Sequence, residues 1–206
     1  MNIAILISGT GSNMKAICAA IDAGELDASV KYVVSSNRRA AGIEWARTRG
    51  LPLIVFEPAD YDEPEKVDHT MAVAFEQAGV DYVVMAGYMR KVTPVLLDAF
   101  PNRVVNLHPA LLPKHPGAHA IRDAFEAGDE VTGITFHFAN EEYDEGPIIS
   151  QHEVPVLDGD TLEDLEERIH AAEHEWYPKI LQQLADELHT EGSHAEDGAH
   201  AKGRAS

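Results

Sequence analysis

Asn2-Ile3-Ala4-Ile5-Leu6-Ile7-Ser8-Gly9-Thr10-Gly11-Ser12-Asn13 is the stretch that decides the fold. Its first half is apolar at successive rather than alternate positions, the pattern of a strand covered on both faces, as in a buried parallel sheet. A glycine-rich turn then hands the chain to a helix expected from about residue 14 to 23. The same unit repeats downstream. Residues 29–35, 53–56, 81–86 and 103–106 read as strands, and 40–49, 64–78 and 93–100 as the helices between them. Repeated strand–helix units predict an α/β fold: a three-layer, doubly wound, mostly parallel sheet in a single domain. Its site is expected in the crevice at the carboxyl ends of the strands.

The remainder of the chain continues the pattern. A helix is expected at 119–127 and strands at 132–138 and 147–156. Thr161 and Asp164 form a capping-box-like start for the last helix. In that helix Leu162, Leu165, Ile169, Ala172 and Trp176 recur at spacings of three and four. Pro178 is expected to kink or interrupt it, since proline lacks the N–H that a helix interior requires. Ile180, Leu181 and Leu184 resume the stripe. Beyond about Leu188 the sequence turns to Gly, Ser, Ala, His and acids without periodicity. The division is therefore a domain over 1–188 and a disordered acidic tail over 189–206.

Composition narrows the classes. The chain has 206 residues, 45% of them hydrophobic, enough for one ordinary core. Its single cysteine, Cys18, excludes a disulfide framework within the chain and a cysteine-based zinc site. Cys18 shares a helix face with Ile17, Ala20 and Ile21 and reads as a core thiol. The net charge of −19 argues against nucleic acid, whose phosphates are bound by excess Lys and Arg. Acids dispersed over every helix suit a halophilic cytoplasm rich in salt. The N-terminus has no basic region ahead of its short apolar run, and no stretch approaches the ~20 apolar residues of a membrane span. A cytoplasmic location is expected.

Three loops carry chemistry. In Gly9-Thr10-Gly11-Ser12-Asn13-Met14, small residues let backbone N–H groups converge at a helix N-terminus, where an anion can bind. Position 14 is Met, so the dinucleotide fingerprint fails, and the Gly-Lys-Ser/Thr ending of a Walker loop is missing. A tight structural turn is the other reading. In Asn106-Leu107-His108-Pro109-Ala110-Leu111-Leu112-Pro113, Asn106 and His108 stand two apart on an extended segment and can point the same way. A carboxamide and an imidazolium side by side suit an oxyanion developing on a carbonyl. Taken alone, the pair also fits a capping Asn and a surface His. In Tyr143-Asp144-Glu145-Gly146-Pro147, a carboxylate in a turn could hold an imidazole protonated, although Asp-x-Gly-Pro is a common turn. His115 and His119 are four apart, but Pro116 and Gly117 between them argue against a shared helix face and a metal. The other histidines read as surface residues.

Together and in this order, Ser8-Gly9-x-Gly11-Ser12-Asn13, Asn106-x-His108-Pro109-x-Leu111-Leu112-Pro113 and Asp144-x-Gly146-Pro147 resemble the folate-dependent formyltransferases that act on glycinamide ribonucleotide. The resemblance runs from Asn2 to about Leu184. It takes in Ala86-Gly87-Tyr88-Met89-Arg90, Glu173-His174 and Tyr177-Pro178. It implies transfer of a formyl group from 10-formyltetrahydrofolate, as co-substrate, to the amine of the nucleotide in purine synthesis, without a metal. By this resemblance the backbone of Gly11, Ser12 and Asn13 holds the 5′-phosphate, and His170 and Glu173 reach the ribose and glycinamide end. Met89, Arg90, Lys91 and Val92 line the folate cleft with Asn140, Glu141, Glu142 and Tyr143. Asn106, His108 and Asp144 form the catalytic group, with Asp144 raising the His108 pKa. Two positions depart from the family: Pro64 stands where an arginine is expected in bacterial relatives, and His170 where Gln is frequent.

The resemblance leaves rivals. A formyltetrahydrofolate hydrolase has similar loops but normally an N-terminal regulatory domain. A methionyl-tRNA formyltransferase adds a basic C-terminal domain, and a silent nucleotide-binding module would lack the Asn106, His108 and Asp144 set. The expected partners are small molecules, with neither nucleic acid nor membrane, and both a monomer and a homodimer fit.

Overall fold

The computed structural model describes residues 1–142 and 144–202, with side chains described as far as residue 190. Seven strands form one sheet: β1 (Asn2–Ile7), β2 (Ser29–Ser35), β3 (Leu53–Val55), β4 (Tyr82–Met85), β5 (Val104–His108), β6 (Val131–Phe138) and β7 (Ile148–Pro155). Their order is β3-β2-β1-β4-β5-β6-β7. The first five are parallel, and β6 and β7 are antiparallel additions beyond β5. Around the sheet lie α1 (Ser12–Ala23), α2 (Ala41–Thr48), α3 (Pro64–Gln77), α4 (Pro94–Ala99), α5 (Ala120–Ala127) and α6 (Leu162–Lys202).

The reason for three layers is visible in β1. Ile3, Ile5 and Ile7 belong to one core cluster with α1 and α6, while Ala4 and Leu6 belong to a second cluster with α3 and α4. Successive strand residues face opposite sides, so a strand apolar at every position needs a cover on both. Each fully buried aliphatic side chain contributes about 1.5–3 kcal/mol relative to exposure.

From β1 the chain winds outward through β2 to β3, then returns to place β4 on the other side of β1. That reversal opens a crevice at the carboxyl ends of β1 and β4. Tyr177 holds α6 against it: its buried hydroxyl donates to the Met85 carbonyl at 2.9 Å.

The structure differs from the sequence expectation at three places. β5 extends to His108, so both Asn106 and His108 are strand residues. A 3-10 turn at Pro58–Asp62 precedes α3, closed by reciprocal Glu57 and Asp60 bonds. α6 runs unbroken through Pro178, because Tyr177, Ile180 and Leu181 bury enough surface around the proline to offset its missing donor. The last residue of α6, Lys202, lies within the segment 189–206 that the sequence sets apart as a tail. Residues 203–206 of that segment lie outside the described residues. Among the described side chains of α6, the last that pack in the core are Leu184, Ala185 and Leu188. Thr161 and Asp164 make the anticipated capping box, with bonds of 2.8 Å and 3.2 Å. Among the described residues no helix is long and apolar enough to cross a membrane.

Candidate active site

The glycine loop forms the floor of a cleft of about 370 Å³. Gly11 is the N-cap of α1 with φ 69°, in the left-handed region that favours glycine. A Cβ at Gly11 would also meet Met14 Cε at 2.7 Å. No side chain caps α1, so its first N–H groups face the cleft without a side-chain partner. Asn13 is buried behind the loop. Its Nδ2 donates to Glu173 Oε2 at 2.9 Å, and its Oδ1 has no partner among the described residues. His170 Nδ1 donates to the same Glu173 oxygen at 3.2 Å. Gly11, Ser12, Asn13, His170 and Glu173, predicted as one group, thus line one end of one cleft.

Asn106, His108 and Asp144 meet at the other end. His108 Nδ1 lies 3.2 Å from Asp144 Oδ2, and His108 Nε2 donates to the His115 carbonyl at 2.7 Å. The Gly117 N–H donates to Asp144 Oδ2 at 3.0 Å. Asp144 sits at φ 57° in its turn. Burial pushes its carboxyl up, but the His137 ring, the Gly117 N–H and the charge of His108 outweigh that, and it lies below the usual carboxylate range.

His108 corrects the sequence expectation. Asp144 does push the imidazole up, as does the His115 carbonyl. Burial pushes it down by more, and His137 and His115 add to the lowering, so it lies below the ordinary value of 6.5. A neutral ring owns one N–H and satisfies one of its two acceptors, whereas the imidazolium satisfies both. Dehydration therefore favours the neutral form and the partners favour the charged one.

The expected folate-contacting residues surround two further hollows. Arg90, Lys91, Val92, Asn140 and Glu142 line a small one of about 50 Å³, which Asn106 and Asp144 also line. Arg90, Lys91 and Val92 continue into a groove of about 390 Å³ with Glu141, Tyr61 and Pro64. There the Arg90 guanidinium sits 4.5 Å from the Tyr61 ring centre. Met89 lines the large cleft instead and is 66% exposed. Tyr143 lies outside the described residues.

The sequence reading missed His137. Far from being a surface residue, it is buried on β6 directly opposite Asn106. Asn106 Nδ2 donates to its Nε2 at 3.0 Å, while its Nδ1 donates to the Phe138 carbonyl at 3.1 Å. His137 Nε2 is 3.7 Å from Asp144 Oδ1, beyond hydrogen-bond distance. Thr135, also on β6, ties down the proline loop by donating to the Ala110 carbonyl at 2.6 Å and accepting the Leu112 N–H at 3.1 Å. Among the described residues no group of His, Cys, Asp and Glu could hold a metal ion. Cys18 is buried, and burial pushes its thiol up to about 11.

Comparison with known proteins meets this geometry from outside. The family model described as "Formyl transferase" matches residues 1–181. Phosphoribosylglycinamide formyltransferase of Bacillus subtilis is 39% identical over 181 residues, covering 88% of this chain and 93% of its own. The Escherichia coli enzyme of the same name is 39% identical over 186 residues, covering 90% of this chain and 88% of its own. Among solved structures, glycinamide ribonucleotide transformylase 1 from Symbiobacterium toebii superposes with a TM-score of 0.86 at 45% identity, covering 90% of this chain and 88% of that one.

Proposed function

The chain belongs to the formyl transferase family, and on that premise we propose that it transfers the formyl group of 10-formyltetrahydrofolate to the amine of glycinamide ribonucleotide, a step of purine synthesis. One observation carries this reading. Asn106 and Asp144 line both the cleft under the glycine loop and the small hollow beside Arg90–Val92, so the polar group stands where two ligands would meet. The ligands suit their places. An uncapped helix N-terminus suits a phosphate. Asn140 Oδ1, which has no hydrogen-bond partner among the described residues, suits an N–H donor of a pterin.

The chemistry asked of these residues is modest. Asn106 offers an amide N–H to the oxygen that becomes negative when the amine attacks the formyl carbon. His108 in its charged form, with Nδ1 held on Asp144, offers the Nε2–H that rests on the His115 carbonyl: turned from that acceptor to the substrate, it is the second donor and the acid that protonates the departing nitrogen of the folate. The attacking amine gives up one proton and the leaving nitrogen takes one, so the exchange balances without an added reductant or metal. Asp144 holds the His108 ring and stabilises its charge. Each such donor is typically worth ~10²–10³ in rate, and holding two substrates together supplies much of the rest. The partners are these small molecules, acting on a monomer or homodimer. With its charge of −19 the protein suits a salt-rich cytoplasm.

Mixing the protein with 10-formyltetrahydrofolate, with and without glycinamide ribonucleotide, tests the proposal. Release of tetrahydrofolate only when both are present supports it. Equal release without the nucleotide makes the protein a hydrolase, and no release in either case overturns the reading.

A further inference from the structure

Among the described residues, the cleft under the glycine loop is lined by no fixed cation. Among the described residues that line it, the ionisable side chains are Tyr88, His108, Asp144, His170 and Glu173, and none is a lysine or an arginine. A phosphate brought to α1 therefore meets the positive end of a helix dipole, worth roughly half a charge, and the Glu173 carboxylate close by. His170 is placed to change that balance. Its Nδ1 is committed to Glu173 Oε2 at 3.2 Å, the oxygen that also accepts Asn13 Nδ2 at 2.9 Å. Nε2 has no hydrogen-bond partner among the described residues, and the side chain is half-exposed at the mouth of the cleft. The other lining imidazole, His108, is bound up with Asp144 and His115 at the opposite end.

We propose that His170 is the charge-compensating residue of the nucleotide end: its imidazolium cancels Glu173 and lets the cleft accept a phosphorylated substrate, so that affinity for the phosphate follows the protonation of His170. The inference rests on the cleft being a nucleotide site. Without the proton, the Glu173–His170 pair presents one net negative charge to a phosphate. With it, the pair is neutral and Nε2–H becomes a charged donor.

The charges that face His170 are few. Glu173, Glu166 and His174 lie on its own helix. α1, packed against α6, contributes uncharged Ser12 and Asn13, and α5, the other helix against α6, puts no side chain into the cleft. β5 and the β6–β7 turn contribute His108 and Asp144 at the far end. The bond to Glu173 raises His170 above the ordinary 6.5, against burial. Tight binding is therefore expected below that raised value, with loss as pH climbs through it.

The test is the KM for glycinamide ribonucleotide from pH 6 to 9, in the native protein and in His170→Gln. Glutamine can still donate to Glu173 but carries no charge. The phosphate itself gains charge near pH 6, and the comparison of the two proteins removes that contribution. The native KM should climb about fivefold more than that of the variant across the window, the size of a semi-exposed charge interaction. With the nucleoside that lacks the phosphate, the two profiles should coincide. Parallel profiles with the phosphorylated substrate would overturn the proposal while leaving the nucleotide site intact. Failure of the native protein to saturate with the nucleotide at any pH would overturn the site and the proposal together.

Discussion

Asp144 Oδ2 lies 3.2 Å from His108 Nδ1 in a contact where the two side chains are only 2% and 4% exposed. Burial already holds His108 below its ordinary value, and Asp144 is a main influence in the opposite direction. Asp144→Asn keeps the shape and removes the charge, so it should lower the His108 pKa further and move the alkaline limb of activity to lower pH. Turnover at neutral pH should fall on the order of 10²–10⁴, the range of general acid–base work, and recover in part on acidification. His108→Ala should show no such recovery, and the double variant should be little worse than the poorer single one. Rates equal to the native protein's from pH 6 to 9 would remove Asp144 from the mechanism.

Gly11 offers a separation of the two substrates. A β-branched residue there must adopt φ 69° and place its Cβ 2.7 Å from Met14 Cε. Gly11→Val should therefore distort the N–H groups at the start of α1 and raise the KM for the nucleotide at least about tenfold, taking loss of one charged hydrogen bond as the scale. The KM for the folate should stay within about twofold. Equal weakening of both, with an unchanged melting temperature, would mean that the loop does not select the nucleotide.

Much of this was legible in the sequence because each signal was local. Consecutive apolar residues in β1 announce a sheet covered twice, and Asn106 and His108 are two apart on one strand. Even the Asp144 turn is readable afterwards: a Cβ on Gly146 would fall 1.7 Å from the Phe138 carbonyl oxygen, so only glycine fits the motif. His137 was illegible for the opposite reason. It reaches Asn106 only through the antiparallel register of β5 and β6, and on a strand buried along both faces a histidine carries no periodic mark. The lowered His108 pKa escaped as well, since spacing pairs the residue with Asp144 but says nothing of how deep the pair lies.

Salt should stabilise the fold. A net charge of −19 on 206 residues repels itself in dilute buffer, and screening grows as ionic strength rises and the Debye length falls from ~10 Å at 0.1 M to ~3 Å at 1 M. The melting temperature should climb steadily from dilute buffer to molar potassium chloride. A flat or falling curve would rule out adaptation to salt and leave the catalytic proposal untouched.

The end of α6 tests where the domain stops. Packing against the core is last seen at Leu184, Ala185 and Leu188. Truncation after Leu188 should leave turnover within about twofold and the melting temperature within a few degrees, because the sequence beyond it has no apolar stripe with which to join the core. A tenfold loss of turnover would show that the segment takes part in binding.

His137 is the residue for which structure adds most to the sequence. Its Nδ1 faces the Phe138 carbonyl and must donate there, which leaves Nε2 as the acceptor for Asn106 Nδ2 in the neutral tautomer. One amide N–H of Asn106 is thereby fixed, on a residue that lines the cleft. His137→Phe keeps a ring of similar size on β6 and deletes the acceptor, so the Asn106 amide is free to turn. A misaimed donor weakens the developing oxyanion more than either bound substrate. Turnover should therefore fall about 10–10²-fold, somewhat less than loss of the donor itself, with both KM values within about threefold. His137→Gln, which can present an acceptor at a similar reach, should recover part of the loss. If the phenylalanine variant is folded and turns over at the native rate, Asn106 does not depend on His137 for its aim.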